Sequence, residues 1–200
     1  MPDLYTALLV VGMYAVLHVG YTLRVIPAGF LIAVGVVIVA VTGRAQSMIL
    51  DVSLVHACIA GPLIGAGLFA VSCIVSRRSL PAAVKRIARS HSGTSDGHDL
   101  RRISGQLGGA LWEEAFWRGT VVYFASPSII GIGLANVAFV GSHYPRVRSV
   151  AGLVDLAVVG LVLSVVYLAL GDVLVVAVAH WVRNALILVS LPREETHHDC

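Results

Sequence analysis

Long apolar segments, separated by short polar, glycine or proline breaks, dominate the chain. Several of them approach or reach the roughly 20 residues that a helix needs to cross a bilayer. Inside lipid, a helix satisfies its backbone hydrogen bonds within the segment, so each apolar run is interpreted as a helix. We predict seven helices, over residues 4–21, 25–41, 51–75, 103–125, 129–143, 150–170 and 173–191.

Composition supports a membrane protein. Apolar residues make up 58% of the chain and charged residues 12%, and the mean hydropathy is +0.88. An ordinary soluble domain carries about 25% charged residues. The predicted fold class is therefore all-α, a polytopic membrane bundle that forms one integral membrane domain over residues 1–200. Within it we expect three N-terminal helices in 1–76, a basic loop in 77–102, helices with ionisable motifs in 103–191 and a polar tail in 192–200.

The placement of positive charge predicts the orientation of the bundle. The loop between the third and fourth predicted helices holds seven basic residues: Arg77, Arg78, Lys85, Arg86, Arg89, Arg101 and Arg102. Cytoplasmic loops carry an excess of Lys and Arg, which places this loop in the cytoplasm. The N-terminus is then expected outside and the C-terminus in the cytoplasm.

The same loop also carries apolar residues at helical spacing, namely Leu80, Val84, Ile87 and Ala88. This pattern is typical of a short amphipathic helix lying on an anionic leaflet, but a solvated basic loop fits it equally well. We expect a flexible linker over residues 90–99. Glycines four apart, Gly61 with Gly65 and Gly105 with Gly109, are suited to close helix packing.

Several kinds of site are not indicated by the sequence. The three cysteines form neither a disulfide framework nor a Cys-pair zinc motif, and no basic run shows the aromatic interleaving of a nucleic-acid-binding protein. The expected partners are membrane lipid and a protein or peptide substrate, with no nucleic acid. The sequence does not specify an oligomeric state.

Segment 112–118, with sequence WEEAFWR, places Glu113, Glu114 and Arg118 inside an apolar run. Each ionisable group at bilayer depth costs about 2.5 to 3.5 kcal/mol on insertion scales, so such groups need partners or a wet cavity. Arg118 lies one helical turn after Glu114, and a structural ion pair between them is the simplest interpretation. Glu113 has only Gly109 and Trp117 at that spacing, which favours a functional role.

Two later apolar runs also carry polar residues four apart. Phe139 and His143 end one run, and His180 and Asn184 lie within another. Residues at this spacing share a helix face, and all these groups are expected at similar depth, in the middle or the cytoplasmic half of the bundle. We therefore expect them to face each other.

A carboxylate beside an imidazole in a poorly hydrated cavity can activate water, so Glu113 and His143 are the predicted catalytic pair. His180 and Asn184 would then donate hydrogen bonds to a developing oxyanion. This set suits amide hydrolysis. Asn136, on the His143 face, is either a supporting polar residue or helix-packing glue.

Other interpretations use the same residues. Glu113, His143 and His180 would supply two imidazoles and a carboxylate, the ligand count of a catalytic zinc site, although no His-Glu-x-x-His sequence is present. The sequence thus allows zinc as a cofactor without requiring it. Buried Glu, His and Arg also serve proton-coupled transporters, and an inactive immunity or scaffold protein is a third alternative. Asp155, Asp172 and His18 are interpreted as packing or interface residues.

The ordered set Glu113-Glu114-x-x-x-Arg118, Phe139-x-x-x-His143 and His180-x-x-x-Asn184 resembles the CPBP family of intramembrane proteases. That family includes the CAAX prenyl endopeptidases and bacteriocin-processing or self-immunity proteins. All three motifs match without substitution. The first hundred residues carry no motif of the family.

The resemblance implies a helical bundle with a conical cavity open to the cytoplasm. It also implies that Glu113 is the principal base, acting with His143 on water, and that His180 and Asn184 stabilise the oxyanion. The remaining motif residues, Glu114, Arg118 and Phe139, would hold the site in shape. A zinc-dependent and a metal-free glutamate mechanism are both compatible with the resemblance, and we favour the metal-free one. This chain gives no sign of a prenylated CAAX substrate.

Overall fold

The computed structural model describes Gly12, Val16 and residues 54–92, 97–122, 129–144, 147 and 149–190. All regular structure in these residues is helical. The helices are α1 (Leu54–Val75), α2 (Leu80–Ser92), α3 (Gly97–Phe116), α4 (Ile129–His143), α5 (Val150–Leu170) and α6 (Val173–Ser190), and α3 continues into a π-helical segment, Trp117–Val122. The all-α class is thus confirmed. The helices predicted at 4–21 and 25–41 lie outside the described residues, apart from Gly12 and Val16, which are helical.

Three of these helices are long and apolar enough to cross a membrane: Val55–Val75, Val150–Leu170 and Val173–Ser190. A fourth apolar stretch, Ile132–His143, is shorter. Helices α4 and α5 begin and end where the hydrophobic pattern predicts. The chain is therefore an integral membrane protein, whereas the number of seven spans and the conical cavity stay predictions.

Helices α1 and α6 pack tightly through two glycines of α1. A Cβ on Gly65 would lie 2.6 Å from the carbonyl oxygen of Ala179, and one on Gly61 would lie 2.7 Å from Val178 Cγ1. Both glycines are buried, as the four-residue spacing predicts. The second pair of glycines differs. Gly105 and Gly109 are exposed, and no described atom lies within 4 Å of a Cβ placed on either.

The basic loop contains a helix whose apolar side is covered by protein. Leu80, Ala83 and Ile87 of α2 pack against the ends of α1 and α6, where they meet Phe69, Cys73, Leu186 and Ile187. Val84, expected on the apolar side, is 52% exposed. The linker predicted over 90–99 is shorter than expected, because α2 continues to Ser92 and α3 begins at Gly97. The Ser and Gly content of this stretch suggested a break that the helices largely span.

The turn between α5 and α6 is closed at both helix ends. Gly171, with a φ of 67°, ends α5, and its N–H donates to the carbonyl of Tyr167 at 2.7 Å. The Asp172 carboxylate accepts from the N–H groups of Leu174 and Val175 at 2.8 and 3.0 Å. Asp172, interpreted as a packing residue, is therefore the N-terminal cap of α6.

An aromatic cluster packs at the end of α3 and joins it to α4. The rings of Phe116 and Trp117 meet edge to face, with centroids 5.3 Å apart, and Trp117 meets Phe139 in the same way at 5.8 Å. All three are buried. The sequence predicts a continuous α-helix here, but the chain changes to the wider π turn at Trp117. Such turns are rare and are frequent at functional sites.

Candidate active site

The adjacent carboxylates of α3 face different partners. Consecutive helical residues point about 100° apart, and Glu113 and Glu114 meet different histidines. Glu113 Oε2 lies 3.6 Å from His143 Nε2 of α4, whereas Glu114 Oε1 lies 2.7 Å from His180 Nδ1 of α6. The structure thus brings one imidazole to each carboxylate, where the sequence suggested that both would surround Glu113.

The pair that includes Glu114 is buried in the bundle. The Glu114 side chain is 0% exposed, and its Oε1 also accepts from Arg118 Nη1 at 3.2 Å. Arg118 Nη2 donates to the carbonyl of Gly160 in α5 at 3.0 Å, and the guanidinium lies 4.6 Å from the centre of the Phe139 ring. This cluster connects four helical segments, and it places the expected Glu114–Arg118 ion pair at its centre.

Backbone contacts fix the tautomer of the more accessible histidine. His143 Nδ1 lies 2.9 Å from the carbonyl oxygen of Phe139. A carbonyl only accepts hydrogen bonds, so Nδ1 carries the proton and the neutral ring has its lone pair on Nε2, towards Glu113. The Ser142 hydroxyl donates to the same carbonyl at 2.7 Å and lies 3.1 Å from Nδ1.

Phe139 packs against the ring of His143. Its side chain is 1% exposed, and its ring lies 4.6 Å from the His143 ring and edge to face with Trp117. A Cβ on Gly160 of α5 would lie 2.9 Å from the ring, so only glycine leaves room for it there. The predicted supporting residue therefore contacts both the histidine and the buried Arg118.

The two polar residues of α6 are oriented by charged neighbours. His180 Nδ1 faces the Glu114 carboxylate, so Nε2 is the nitrogen left for another partner. Asn184 Oδ1 accepts from Arg183 Nη1 at 2.8 Å. Since arginine only donates, this contact assigns the amide oxygen of Asn184 to Arg183 and leaves the NH₂ group for other acceptors.

The structure contains a buried charge cluster beside Asn184 that the sequence pattern does not predict. Arg183 pairs with Asp155 of α5 through Nη2, and its Nε donates to Ser72 Oγ of α1 at 3.1 Å. All three residues are buried. A charge within an apolar run is the signal that could have identified Arg183 and Asp155, as it does Glu113. The hydrophobic pattern does not show which partner each charge meets, and Asp155 is interpreted from it as a packing or interface residue.

Asn136, the other polar residue on the His143 face, joins α4 to α5. Its Nδ2 donates to the carbonyl of Ala157 at 3.0 Å. This contact agrees with the packing alternative for Asn136. It also helps to explain the close approach of the two helices at Gly160.

The expected zinc ligands are divided between the two carboxylates. His180 faces Glu114 through Nδ1, and the pair of Glu113 and His143 is formed on another side of α3. In the described part of the chain, no group of three or more His, Cys, Asp or Glu side chains is arranged to hold a metal ion. As placed, Glu113, His143 and His180 do not fit one three-ligand site.

Comparison with known proteins identifies a family model that matches part of the chain. Residues 102–186 match the model of the family described as Rce1-like, Type II CAAX prenyl endopeptidase Rce1-like. No curated protein and no solved structure matches the chain. The matched segment contains the three motifs and both carboxylate–imidazole pairs. Over this segment, which is less than half of the chain, the protein is similar to the Rce1-like type II CAAX prenyl endopeptidases.

Proposed function

We propose that this protein hydrolyses a peptide bond of a membrane-associated or lipidated protein or peptide, with Glu113 and His143 activating the water. This proposal rests on the geometry of the pair. Glu113 Oε2 and His143 Nε2 lie 3.6 Å apart, and their side chains are 20% and 13% exposed. The pair is therefore accessible enough for water and substrate, in contrast to the buried Glu114 and Arg118.

The hydrogen-bonding state of the pair suits a bridging water. An ionised Glu113 only accepts, and the neutral His143 presents a lone pair on Nε2, so the two groups cannot form a direct hydrogen bond. At 3.6 Å, a water molecule can donate one O–H to each group. Its oxygen lone pairs then point away from both acceptors and towards a substrate carbonyl.

Hydrolysis follows from this arrangement. The water oxygen attacks the carbonyl carbon while one of its protons passes to the Glu113–His143 pair. The tetrahedral intermediate collapses, the C–N bond breaks with its electron pair going to nitrogen, and the same pair returns the proton to the leaving amine. All of these steps use groups of this chain, and none requires a metal ion.

The developing oxyanion needs donors, and α6 supplies the candidates. We assign this role to the Asn184 NH₂ group and to His180 Nε2. In this role the His180 ring donates from both nitrogens, from Nδ1 to Glu114 and from Nε2 to the oxyanion. One oxyanion donor is worth about 2.7 to 4 kcal/mol in other hydrolases. Glu114, Arg118 and Phe139 hold α3, α4 and α6 in register around the reacting atoms.

The substrate class follows from the family and from the membrane location. The family description names CAAX prenyl endopeptidases, so a prenylated C-terminal CAAX peptide is the first substrate to test. We further propose that the site opens to the cytoplasm through a conical cavity. The excess of basic residues in the loop 77–102 supports this proposal, because it predicts that the loop lies in the cytoplasm.

The decisive experiment compares wild type with Glu113→Gln and His143→Ala, each purified in lipid nanodiscs. Cleavage of a farnesylated CAAX peptide, and of peptides from a membrane proteome, is measured by mass spectrometry. We expect products from the wild type only, with and without a zinc chelator. Equal products from wild type and from folded Glu113→Gln would refute the proposal, and transport that needs a proton gradient in sealed vesicles would support a transporter instead.

A further inference from the structure

Four cations form an exposed corner where α1 ends and α2 begins. We call Arg77, Arg78, Lys85 and Arg86 the basic corner; all four are exposed. The sequence contains no Asp or Glu between Asp51 and Asp96, so this stretch carries no acidic residue of its own to neutralise them. The corner is therefore a strongly positive surface.

The corner lies at the depth where membrane spans end. The candidate span Val55–Val75 stops two residues before Arg77. Arg86 Nη1 donates to the carbonyl of Ser190 at 3.3 Å, and Ser190 is the last residue of the candidate span Val173–Ser190. Since both spans end beside α2, its cations are expected at the level of the lipid headgroups.

The packing of α2 directs these cations outward. Leu80, Ala83 and Ile87 contact α1 and α6, so this part of the apolar face is covered by protein, whereas Val84 is 52% exposed. Lys85 lies on the opposite face, and Arg86 lies on the flank from which it reaches Ser190 of α6. This helix therefore presents charge to its surroundings.

The backbone at Arg77 is strained. Its φ is 53°, in the left-handed region that favours glycine, and the turn is closed by Arg78 N–H to Cys73 O at 2.8 Å and Arg77 N–H to Ile74 O at 3.0 Å. This is the helix ending in which glycine normally occupies the strained position. An exposed arginine there adds strain without burying anything, which points to a use for its charge.

We propose that the basic corner binds the phosphate groups of anionic phospholipids in the leaflet where α1 and α6 end. Guanidinium groups match phosphate oxygens with paired hydrogen bonds, and each cation at a membrane surface strengthens attraction to anionic lipid about fivefold. The four cations together select anionic over zwitterionic lipid. This proposal does not depend on the proposed protease activity.

The test places the full chain in nanodiscs of phosphatidylcholine alone or mixed with phosphatidylglycerol. Thermal unfolding midpoints are measured, and native mass spectrometry counts the phosphatidylglycerol molecules that stay bound. We expect phosphatidylglycerol to raise the wild-type midpoint by several degrees, with less gain at high salt. The gain should be lost in Arg77→Gln/Arg78→Gln, whose side chains are exposed, and reduced in Lys85→Gln.

Arg77 offers a matched pair of controls. Arg77→Gly relieves the strained φ, so in pure phosphatidylcholine its midpoint should equal or exceed that of wild type, yet it should gain less from phosphatidylglycerol. Arg77→Lys keeps both charge and strain and should keep the gain. An unchanged gain and unchanged lipid retention in Arg77→Gln/Arg78→Gln would overturn the proposal. The proposal would also be overturned if the substitutions changed only the cleavage of acidic peptides in phosphatidylcholine, because the basic corner would then bind substrate rather than lipid.

Discussion

Two adjacent glutamates of the same helix receive different surroundings, and burial separates their roles. Glu114 is 0% exposed and is shared by Arg118 and His180, whereas Glu113 is 20% exposed beside His143. A buried carboxylate with a cationic partner stabilises the packing of its neighbours. The carboxylate that remains accessible is the one that can meet water and substrate.

Replacing Glu113 by glutamine is expected to reduce catalysis and spare the fold. The amide keeps the volume of the side chain but cannot take a proton from water, so kcat should fall at least about 10²-fold. The thermal midpoint should stay close to that of wild type, because the side chain is accessible to solvent. Peptide cleavage and thermal unfolding in nanodiscs measure the two quantities; a variant that unfolds early would contradict the assignment.

Glu114→Gln is the matched comparison and should show the opposite balance. Removal of the charge leaves the buried Arg118 guanidinium without its carboxylate, which destabilises the fold by about 3 kcal/mol or more. We therefore expect a clearly lower thermal midpoint than in Glu113→Gln. Equal midpoints for the two variants would show that the buried pair contributes little.

At the scale of helices, the contacts of α6 are the ones that the sequence pattern does not predict. Arg183 joins α6 to Asp155 of α5 and to Ser72 of α1, and its contact with Asn184 sets the orientation of that amide. The hydrophobic pattern locates each helix. It carries no information on which charge in one helix meets which charge in another.

Replacing only one member of the Arg183–Asp155 pair is expected to destabilise the protein more than replacing both. Arg183→Met leaves a buried unpaired carboxylate and should cost about 3 to 5 kcal/mol, whereas Arg183→Met/Asp155→Leu replaces both charges by apolar groups and should recover most of the loss. Thermal unfolding of both variants tests this. A double variant that is no more stable than the single one would contradict it.

Gly160→Ala should disturb the predicted site from the neighbouring helix. The new Cβ would overlap Asn136 Oδ1 and lie 2.9 Å from the Phe139 ring, so α4 must shift and carry His143 with it. We expect a loss of about 1 to 3 kcal/mol in stability, together with reduced cleavage. Gly133→Ala, at an exposed position of α4 with no described atom within 4 Å of the new Cβ, is the control and should behave as wild type.

The sequence predicted helices best where local signals end them. The bounds of α4 and α5 match the pattern, since His143 is soon followed by Pro145 and Leu170 by Gly171. The sequence pattern fits either a helix or a solvated loop at α2, and it does not predict the π turn after Phe116. Both depend on tertiary contacts, of α2 with α1 and α6 and of Trp117 with Phe139.

At the scale of the whole molecule, the basic corner and the C-terminal end of α6 lie together, joined by the contact from Arg86 to Ser190. Both are therefore on one side of the bundle. With seven spans, the N-terminus is expected on the opposite, outer side. Reporter fusions at each terminus should show a cytoplasmic C-terminus and an external N-terminus; two termini on the same side would contradict the predicted number of spans.

The sequence alone determined that the protein is a helical membrane protein and which polar residues are exceptional, because hydropathy and the expense of charge in lipid act on each segment separately. It also carried the resemblance to a family of proteases, because the motif spacing lies within single helices. Only the tertiary structure decided that His143 meets Glu113 while His180 meets Glu114, and that Arg183 holds Asn184 and Asp155. Those pairings depend on how the helices rotate and approach one another, which close packing fixes and a one-dimensional pattern does not contain.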